Sequence, residues 1–294
     1  MIVVPDQFAE QLVNYEGRRA ATWLRSVPAL AEEFAQRWRL TADGPLMHGV
    51  VGLALPVTTA DGSPAVLKLT LVTAETRDEP TVLAAWKGAG AVRLLDCDPE
   101  RGVLLLERLD AARALAGEPI ADAVRIASDL LRRLTIPAPP GLTRDLRAEA
   151  ERWIEELPRD WQRLGQPFSR ALLDGAVAAC EQLGPQAARL LVNEDLHYDN
   201  VLAGTREPWL VIDPKPLVGD PEFSTLSLLW NRRTESTLDE RFAAVVDGAG
   251  LDPDRARAWT LVRAVRNWLD LLALGDLADD EYRAVRDIAP WALG

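Results

Sequence analysis

Three residues in one short stretch have the types and spacing for metal-assisted chemistry. Asp195 is followed by Asn200, and Asp213 closes the apolar run Trp209-Leu210-Val211-Ile212. The apolar runs 200–203 and 209–212 flank Gly204-Thr205-Arg206-Glu207-Pro208, a pattern that predicts a small β-hairpin. Asp195 and Asn200 lie on the way into that hairpin and Asp213 on the way out, so all three can meet at one end. Their carboxylate and amide oxygens are hard ligands suited to magnesium, which takes one or two protein carboxylates and keeps its other positions for water and phosphate oxygens. Asp and Asn beside a tight turn also serve as caps and turn formers. Order and context along the chain must decide between the two.

The 294 residues include 45 acidic and 33 basic side chains, for a net charge of −12, with 48% apolar residues. That apolar fraction is ample for a buried core and excludes a disordered chain. The negative charge argues against a nucleic-acid partner, because non-specific binding to phosphate backbones runs on Lys and Arg. It suits cationic or neutral small molecules, or serves solubility alone. Cys97 and Cys180 lie far apart, and no Cys/His spacing resembles a zinc site. The amino terminus lacks a signal-peptide pattern, and no apolar run approaches the roughly 18 residues of a membrane span. A cytoplasmic protein with no membrane partner is expected.

The elements that must position the three residues read as a β-rich segment followed by a helical one. The first forty residues read as helical, with Leu30, Phe34 and Trp38 on one stripe. Runs 50–58 and 65–70 around Asp61-Gly62-Ser63 predict a hairpin. A short helix near 78–87 follows, then strands over 91–95 and 102–106 joined by a turn at Asp98-Pro99-Glu100-Arg101. Beyond Leu109 the sequence reads as helical almost throughout. Ile120, Val124, Ala127, Leu131 and Leu134 share a face, and 143–157 is rich in helix formers. Asp252-Pro253 opens a late helix that Gly275 closes.

An Asp, four residues, an Asn, then a strand ending in Asp, all downstream of a strand lysine, resembles the protein-kinase-like arrangement. The sequence is similar to the aminoglycoside phosphotransferases, in the branch of streptomycin 6-phosphotransferases and hydroxyurea phosphotransferases. The resemblance rests on Asn193-Glu194-Asp195-Leu196-His197-Tyr198-Asp199-Asn200, Val211-Ile212-Asp213-Pro214-Lys215-Pro216, Gly219-Asp220-Pro221 and Leu229-Trp230-Asn231-Arg232. Upstream it rests on Ala65-Val66-Leu67-Lys68-Leu69, on Ala91 to Asp96 and on Leu104 to Leu109. It implies an α+β, two-lobe fold: a helical extension over 1–40, a small antiparallel β-rich N-lobe over 41–107, and a larger, mostly helical C-lobe over 108–294.

Carried over, the resemblance makes Asp195 the catalytic aspartate that orients the acceptor hydroxyl and takes its proton. Asn200 and Asp213 would hold Mg²⁺ against the phosphates of ATP. Lys68 would reach the α- and β-phosphates, and Glu79 would position it. Pro80 follows Glu79, so either a helix starts there with proline in its first turn, or the ion pair uses Glu75 instead. The backbone from Glu107 to Leu109 would receive adenine, and Met47-His48-Gly49 with Gly52 would cover the phosphates, His48 included. His197 reads as a loop-stabilising residue rather than an acid-base catalyst.

Two departures stand out. Many relatives carry His-Gly before the catalytic aspartate, where this chain has Asn193-Glu194, and Ser224 occupies a position where a further aspartate is common. The hydrogen bonds bracing the loop must therefore differ. The expected activity is ATP-dependent transfer of a phosphoryl group to a hydroxyl of a small-molecule acceptor, streptomycin-like and cationic or a related compound, by a monomer or weak homodimer, with antibiotic resistance as the outcome. The alternatives are a kinase of hydroxyurea, a sugar or another metabolite, and a catalytically weak kinase-fold binding protein. Glu155, Glu156, Glu222 and Asp270 are candidates to meet a cationic acceptor.

Overall fold

The computed structural model describes residues 2–275, 277 and 280–294. The chain divides into two compact units, one ending at Leu109 and the other beginning at Asp110. The first contains α1 (Asp6–Arg37), β1 (Thr41–Ala42), β2 (Met47–His48), β3 (Gly52–Thr58), β4 (Pro64–Thr70), α2 (Glu79–Trp86), β5 (Leu94–Asp98) and β6 (Val103–Glu107). Its antiparallel sheet has the order β1-β3-β4-β6-β5, with β2 also pairing with β3. The Asp61-Gly62 turn pairs Thr58 with Pro64, and the Asp61 carboxylate accepts the Ser63 N–H at 3.1 Å. Apolar side chains cover one face of the sheet. Phe8, Leu12, Val27, Leu30 and Phe34 of α1 share a core with Leu53, Leu55, Leu67, Leu69 and Leu105, and burying each contributes roughly 1.5–3 kcal/mol. The helix is broken at Gly17, whose φ of 60° and ψ of −137° are non-helical.

The sequence places one strand of this unit too early. Residues 91–95 read as a strand because Ala91 and Val92 are apolar, but the ladder runs from Leu94 to Asp98, with Asp98 opposite Val103. Gly88 and Gly90, just before this stretch, take positive φ, and Arg93 meets Glu107 outside the regular ladder. The turn then falls at 99–102. Gly102 closes it at φ 66°, where a Cβ would lie 2.1 Å from the Thr70 carbonyl oxygen, so only glycine fits.

The second unit contains β7 (Asp110–Ala114), α3 (Ile120–Leu134), α4 (Leu146–Arg163), α5 (Arg170–Leu183), β8 (Leu190–Asn193), β9 (Val201–Ala203), β10 (Trp209–Val211), β11 (Pro216–Gly219), α6 (Thr225–Trp230), α7 (Leu238–Ala249), α8 (Pro253–Leu274) and α9 (Asp280–Leu293). Asp252 caps α8 by accepting the Arg255 N–H, and Gly275 ends it in the left-handed conformation. The helix expected over 143–157 starts later, with Asp145 as its cap, and runs on to Arg163 through Pro158. The expectation of helix almost throughout fails at its start. Residues 110–114 are β7, whose Asp-Ala-Ala-Arg-Ala sequence favours helix but which pairs with the edge of β9; tertiary pairing overrides propensity there. β8 and β11 form a second small sheet, with Asn193 opposite Pro216.

The core of this unit reaches the candidate site through Phe223. Its ring stacks on Trp153 at 5.8 Å and meets Trp259 edge-on at 5.6 Å. Asp220 is buried, accepting the Trp259 Nε1–H and the Ala188 N–H at 2.8 Å each and pairing with Arg255. The Gly219-Asp220-Pro221 motif is thereby an anchor for the segment that carries Ser224 and Ser227.

Candidate active site

In the first unit, Lys68 sits in the middle of β4, opposite Ala54 on β3 and Leu104 on β6. Its Nζ lies 2.6 Å from Glu79 Oε1 and 2.7 Å from Oε2, and both side chains are buried. Glu79 is the first residue of α2 with Pro80 in the first turn, so the chain uses Glu79 and not Glu75 for this pair. A carboxylate at a helix N-terminus is also favoured by the helix dipole. His48 lies on β2, opposite Leu53, is exposed, and packs its ring 5.2 Å from that of Phe8. Gly52 lies against β4: a Cβ there would meet the Leu69 carbonyl oxygen at 3.2 Å.

The Glu107 N–H donates to the Arg93 carbonyl at 3.0 Å, and its carboxylate accepts the Arg93 N–H at 2.9 Å. Arg108 pins the backbone between Glu107 and Leu109. Its guanidinium donates to Ala65 O at 3.1 Å, to the Asp43 carboxylate at 2.6 Å and to Val57 O.

In the second unit, the hairpin of β9 and β10 pairs Val201 with Val211, and the Ile212 N–H donates to Asn200 O at 2.9 Å. Asn200 and Asp213 are therefore at the same end of the hairpin. Asp213 takes a φ of 50°, a left-handed conformation that Asp tolerates better than most residues and that turns the chain sharply before Pro214. The Asn200 Nδ2 donates to Asp195 O at 3.0 Å and lies 3.4 Å from Asp195 Oδ2. Because the amide nitrogen is committed to Asp195, the Oδ1 of Asn200 points away from that residue. The hairpin expected from the sequence thus brings Asp195, Asn200 and Asp213 to one place, as the spacing requires.

The loop between β8 and β9 is braced from every side. Asn193 Oδ1 accepts the N–H of Asp195 at 3.1 Å and the N–H of Lys215 at 3.0 Å. The Ser224 hydroxyl donates to Asn193 O at 2.8 Å, and the Ser227 hydroxyl to Glu194 O at 2.6 Å. Glu194 is buried against Arg144, with contacts of 2.5 and 3.1 Å. Burial pushes its carboxyl up, but the charge and hydrogen bonds of Arg144, with Arg263 and Lys215 behind it, outweigh burial and hold the pKa at about 2. Arg263 donates to Phe223 O at 2.9 Å, which ties this charge pair to the core.

His197 stabilises the same loop through its backbone: its N–H donates to Asp195 O, and its O accepts the Asn200 N–H, both at 3.0 Å. Its ring lies 5.7 Å from that of Trp230. The Tyr198 hydroxyl donates to Leu228 O at 2.9 Å, and burial pushes its pKa up to about 12.

The profile of the aminoglycoside/hydroxyurea antibiotic resistance kinases matches residues 37–269. The chain belongs to this kinase family. It is 42% identical over 282 residues to the hydroxyurea phosphotransferase of Kitasatospora aureofaciens, covering 95% of this chain and 83% of that protein. It is likewise 42% identical over 290 residues to the streptomycin 6-kinase of Streptomyces glaucescens, covering 95% and 92%. Among solved structures, an aminoglycoside phosphotransferase in complex with ADP and hygromycin B superposes with a TM-score of 0.64 at 16% identity, covering 90% of this chain and 98% of that one. A choline kinase from Streptococcus pneumoniae superposes with a TM-score of 0.61 at 14% identity, covering 92% and 99%. Together they establish the protein-kinase-like fold expected from the sequence.

In this kinase, the departures at 193, 194 and 224 form one built arrangement. Asn193, Glu194 and Ser224 each make a bond that fixes the loop, and the partners come from Arg144, Ser227 and Lys215. Sequence reasoning missed Arg144 and Arg263 because each lies fifty or more residues from the loop and has no motif of its own. Lys215 belongs to the Asp213-Pro214-Lys215 run, but local spacing gives it no task. Of the acidic residues considered for a cationic acceptor, Glu222 faces inward and accepts the Asp252 N–H at 3.1 Å, while Glu156 and Asp270 pair with Arg152 and Arg266. Glu155 is exposed on α4.

Proposed function

We propose that this protein transfers the γ-phosphoryl group of ATP to a hydroxyl of a streptomycin-like aminoglycoside, with antibiotic resistance as the consequence. The observation that carries this reading is the hairpin end, where the Asn200 amide donates to Asp195 and the bond from Ile212 N–H to Asn200 O brings Asp213 to the same end. Asp195 takes the role of orienting the acceptor hydroxyl and accepting its proton as the new O–P bond forms. Lys68, aligned by Glu79, binds the α- and β-phosphates, and the backbone of Glu107 to Leu109, pinned by Arg108, receives adenine. The His48 turn lies along the strand that neighbours Lys68, and its place in this reading is to cover the phosphates.

Mg²⁺ fits the second unit. Asn200 directs its amide oxygen away from Asp195, and Asp213 supplies a carboxylate at the same hairpin end, which is the small set of hard oxygen donors that a magnesium ion on phosphates requires. When bound, the ion would neutralise charge on the phosphate oxygens.

The equal identity to a hydroxyurea phosphotransferase supports hydroxyurea as a second acceptor. The free thiols Cys97 and Cys180 suit a cytoplasmic protein. The test is magnesium-dependent transfer of labelled phosphate from ATP to a panel of streptomycin, other aminoglycosides, hydroxyurea and sugars. Asp195→Ala should lower kcat by at least about 10²- to 10⁴-fold with nucleotide affinity nearly intact. Nucleotide binding without transfer to any acceptor would favour a binding protein instead.

A further inference from the structure

We propose that Lys215 is a catalytic cation of the phosphoryl transfer, paired with Asp195. This deepens the kinase reading above and rests on it. Asp213 turns the chain at φ 50°, Pro214 follows, and the Lys215 backbone is then clamped to the catalytic loop: its N–H donates to Asn193 Oδ1 at 3.0 Å, and its carbonyl accepts the Glu194 N–H at 3.1 Å. The same Asn193 oxygen accepts the Asp195 N–H at 3.1 Å. One amide oxygen therefore fixes both members of the pair relative to each other. From that clamp the lysine side chain, one-third exposed, brings Nζ to 3.5 Å from Asp195 Oδ2.

The distance and exposure bear on the role. Charge-assisted N–H···O bonds close to about 2.7–2.9 Å, and the buried Lys68–Glu79 pair does so. Lys215 Nζ stands farther than that from Asp195 Oδ2, and its side chain is one-third exposed, on the carboxylate oxygen that also faces the Asn200 amide. Its cation is thus placed where an acceptor hydroxyl on Asp195 and the incoming phosphoryl group must meet.

In the transfer step the acceptor O–H proton passes to Asp195, the acceptor oxygen bonds to the γ-phosphorus, and the bond from that phosphorus to the ADP oxygen breaks. Negative charge spreads over the equatorial oxygens of the transferring group. An aspartate alone would repel it. A lysine beside the aspartate supplies the opposing charge at the attacking side. A preorganised donor of this kind contributes about 10²- to 10³-fold in rate.

The experiment uses the full chain and the variants Lys215→Met and Lys215→Arg, with Asp195→Ala alongside. With an acceptor that the wild type phosphorylates, Lys215→Met should lower kcat by about 10²- to 10³-fold with both KM values within about threefold, and Lys215→Arg should recover about tenfold. The second readout is thermal stabilisation by MgADP and by MgADP with aluminium fluoride, a mimic of the transferring phosphoryl group. The variants should keep the MgADP increment, and Lys215→Met should lose the additional fluoride increment. A Lys215→Met enzyme with kcat within threefold of wild type, or with an undiminished fluoride increment, overturns the proposal. Should Lys215→Met not fold, Lys215→Gln is judged by the same two readouts. Wild-type failure on every acceptor counts against the kinase reading, whereas wild-type turnover with an unaffected Lys215→Met removes only the role of Lys215.

Discussion

Replacing Arg144 by Met should destabilise the protein by an amount that shrinks in mild acid. In the wild type, Glu194 is held at about 2, against an ordinary 4.5, because Arg144 outweighs the cost of burial. That difference corresponds to roughly 3 kcal/mol at neutral pH. Since the folded value is depressed, the contribution is present above about pH 4.5 and is lost as pH falls toward 2. Between pH 7 and 5 it is therefore constant.

In Arg144→Met the carboxylate stays buried with its main partner gone, a change that costs about 3–5 kcal/mol. For a unit of this size that is a fall in Tm of roughly 6–20 °C. Burial then raises the Glu194 carboxyl, and protonation on going from pH 7 to 5 relieves part of the penalty. The stability difference between wild type and variant should accordingly shrink at pH 5. Urea unfolding followed by tryptophan fluorescence at the two pH values measures it. A difference that is equal or larger at pH 5 would refute the assignment of Arg144 as the group that holds Glu194 ionised.

Three further outcomes follow from the site. Asp213→Asn should weaken MgATP binding and raise the magnesium concentration needed for half-maximal rate; an unchanged magnesium titration would count against a ligand role. Glu79→Gln should raise KM for ATP by about 10- to 100-fold, since hydrogen bonds to charged groups contribute roughly 1.5–3 kcal/mol, and a KM within twofold of wild type would show that Lys68 needs no carboxylate to align it. Asn193→Ala removes the shared acceptor of the Asp195 and Lys215 N–H groups, so kcat should fall along with a loss of roughly 1–3 kcal/mol for each donor left unsatisfied; stability loss with unchanged kcat would mean the amide only supports the fold.

What the sequence determined by itself is what local spacing can encode. The turn at Asp61-Gly62, the hairpin between Asn200 and Asp213, the strand lysine and the caps at Asp252 and Gly275 each depend on a few neighbouring residues, and each reads correctly. The choice of Glu79 over Glu75 needed the observation that Pro80 sits in a first helical turn. β7 was illegible because its residues favour helix and its conformation comes from an edge of β9 far along the chain. The same reason governs the candidate site. Spacing alone placed Asp195, Asn200 and Asp213 together, but not what holds them: Arg144 under Glu194, Ser224 and Ser227 on the loop carbonyls, and Lys215 beside Asp195 come together only when distant segments pack. A buried charge is stable only with its partner in place, and nothing in a local pattern says from which helix or loop that partner comes.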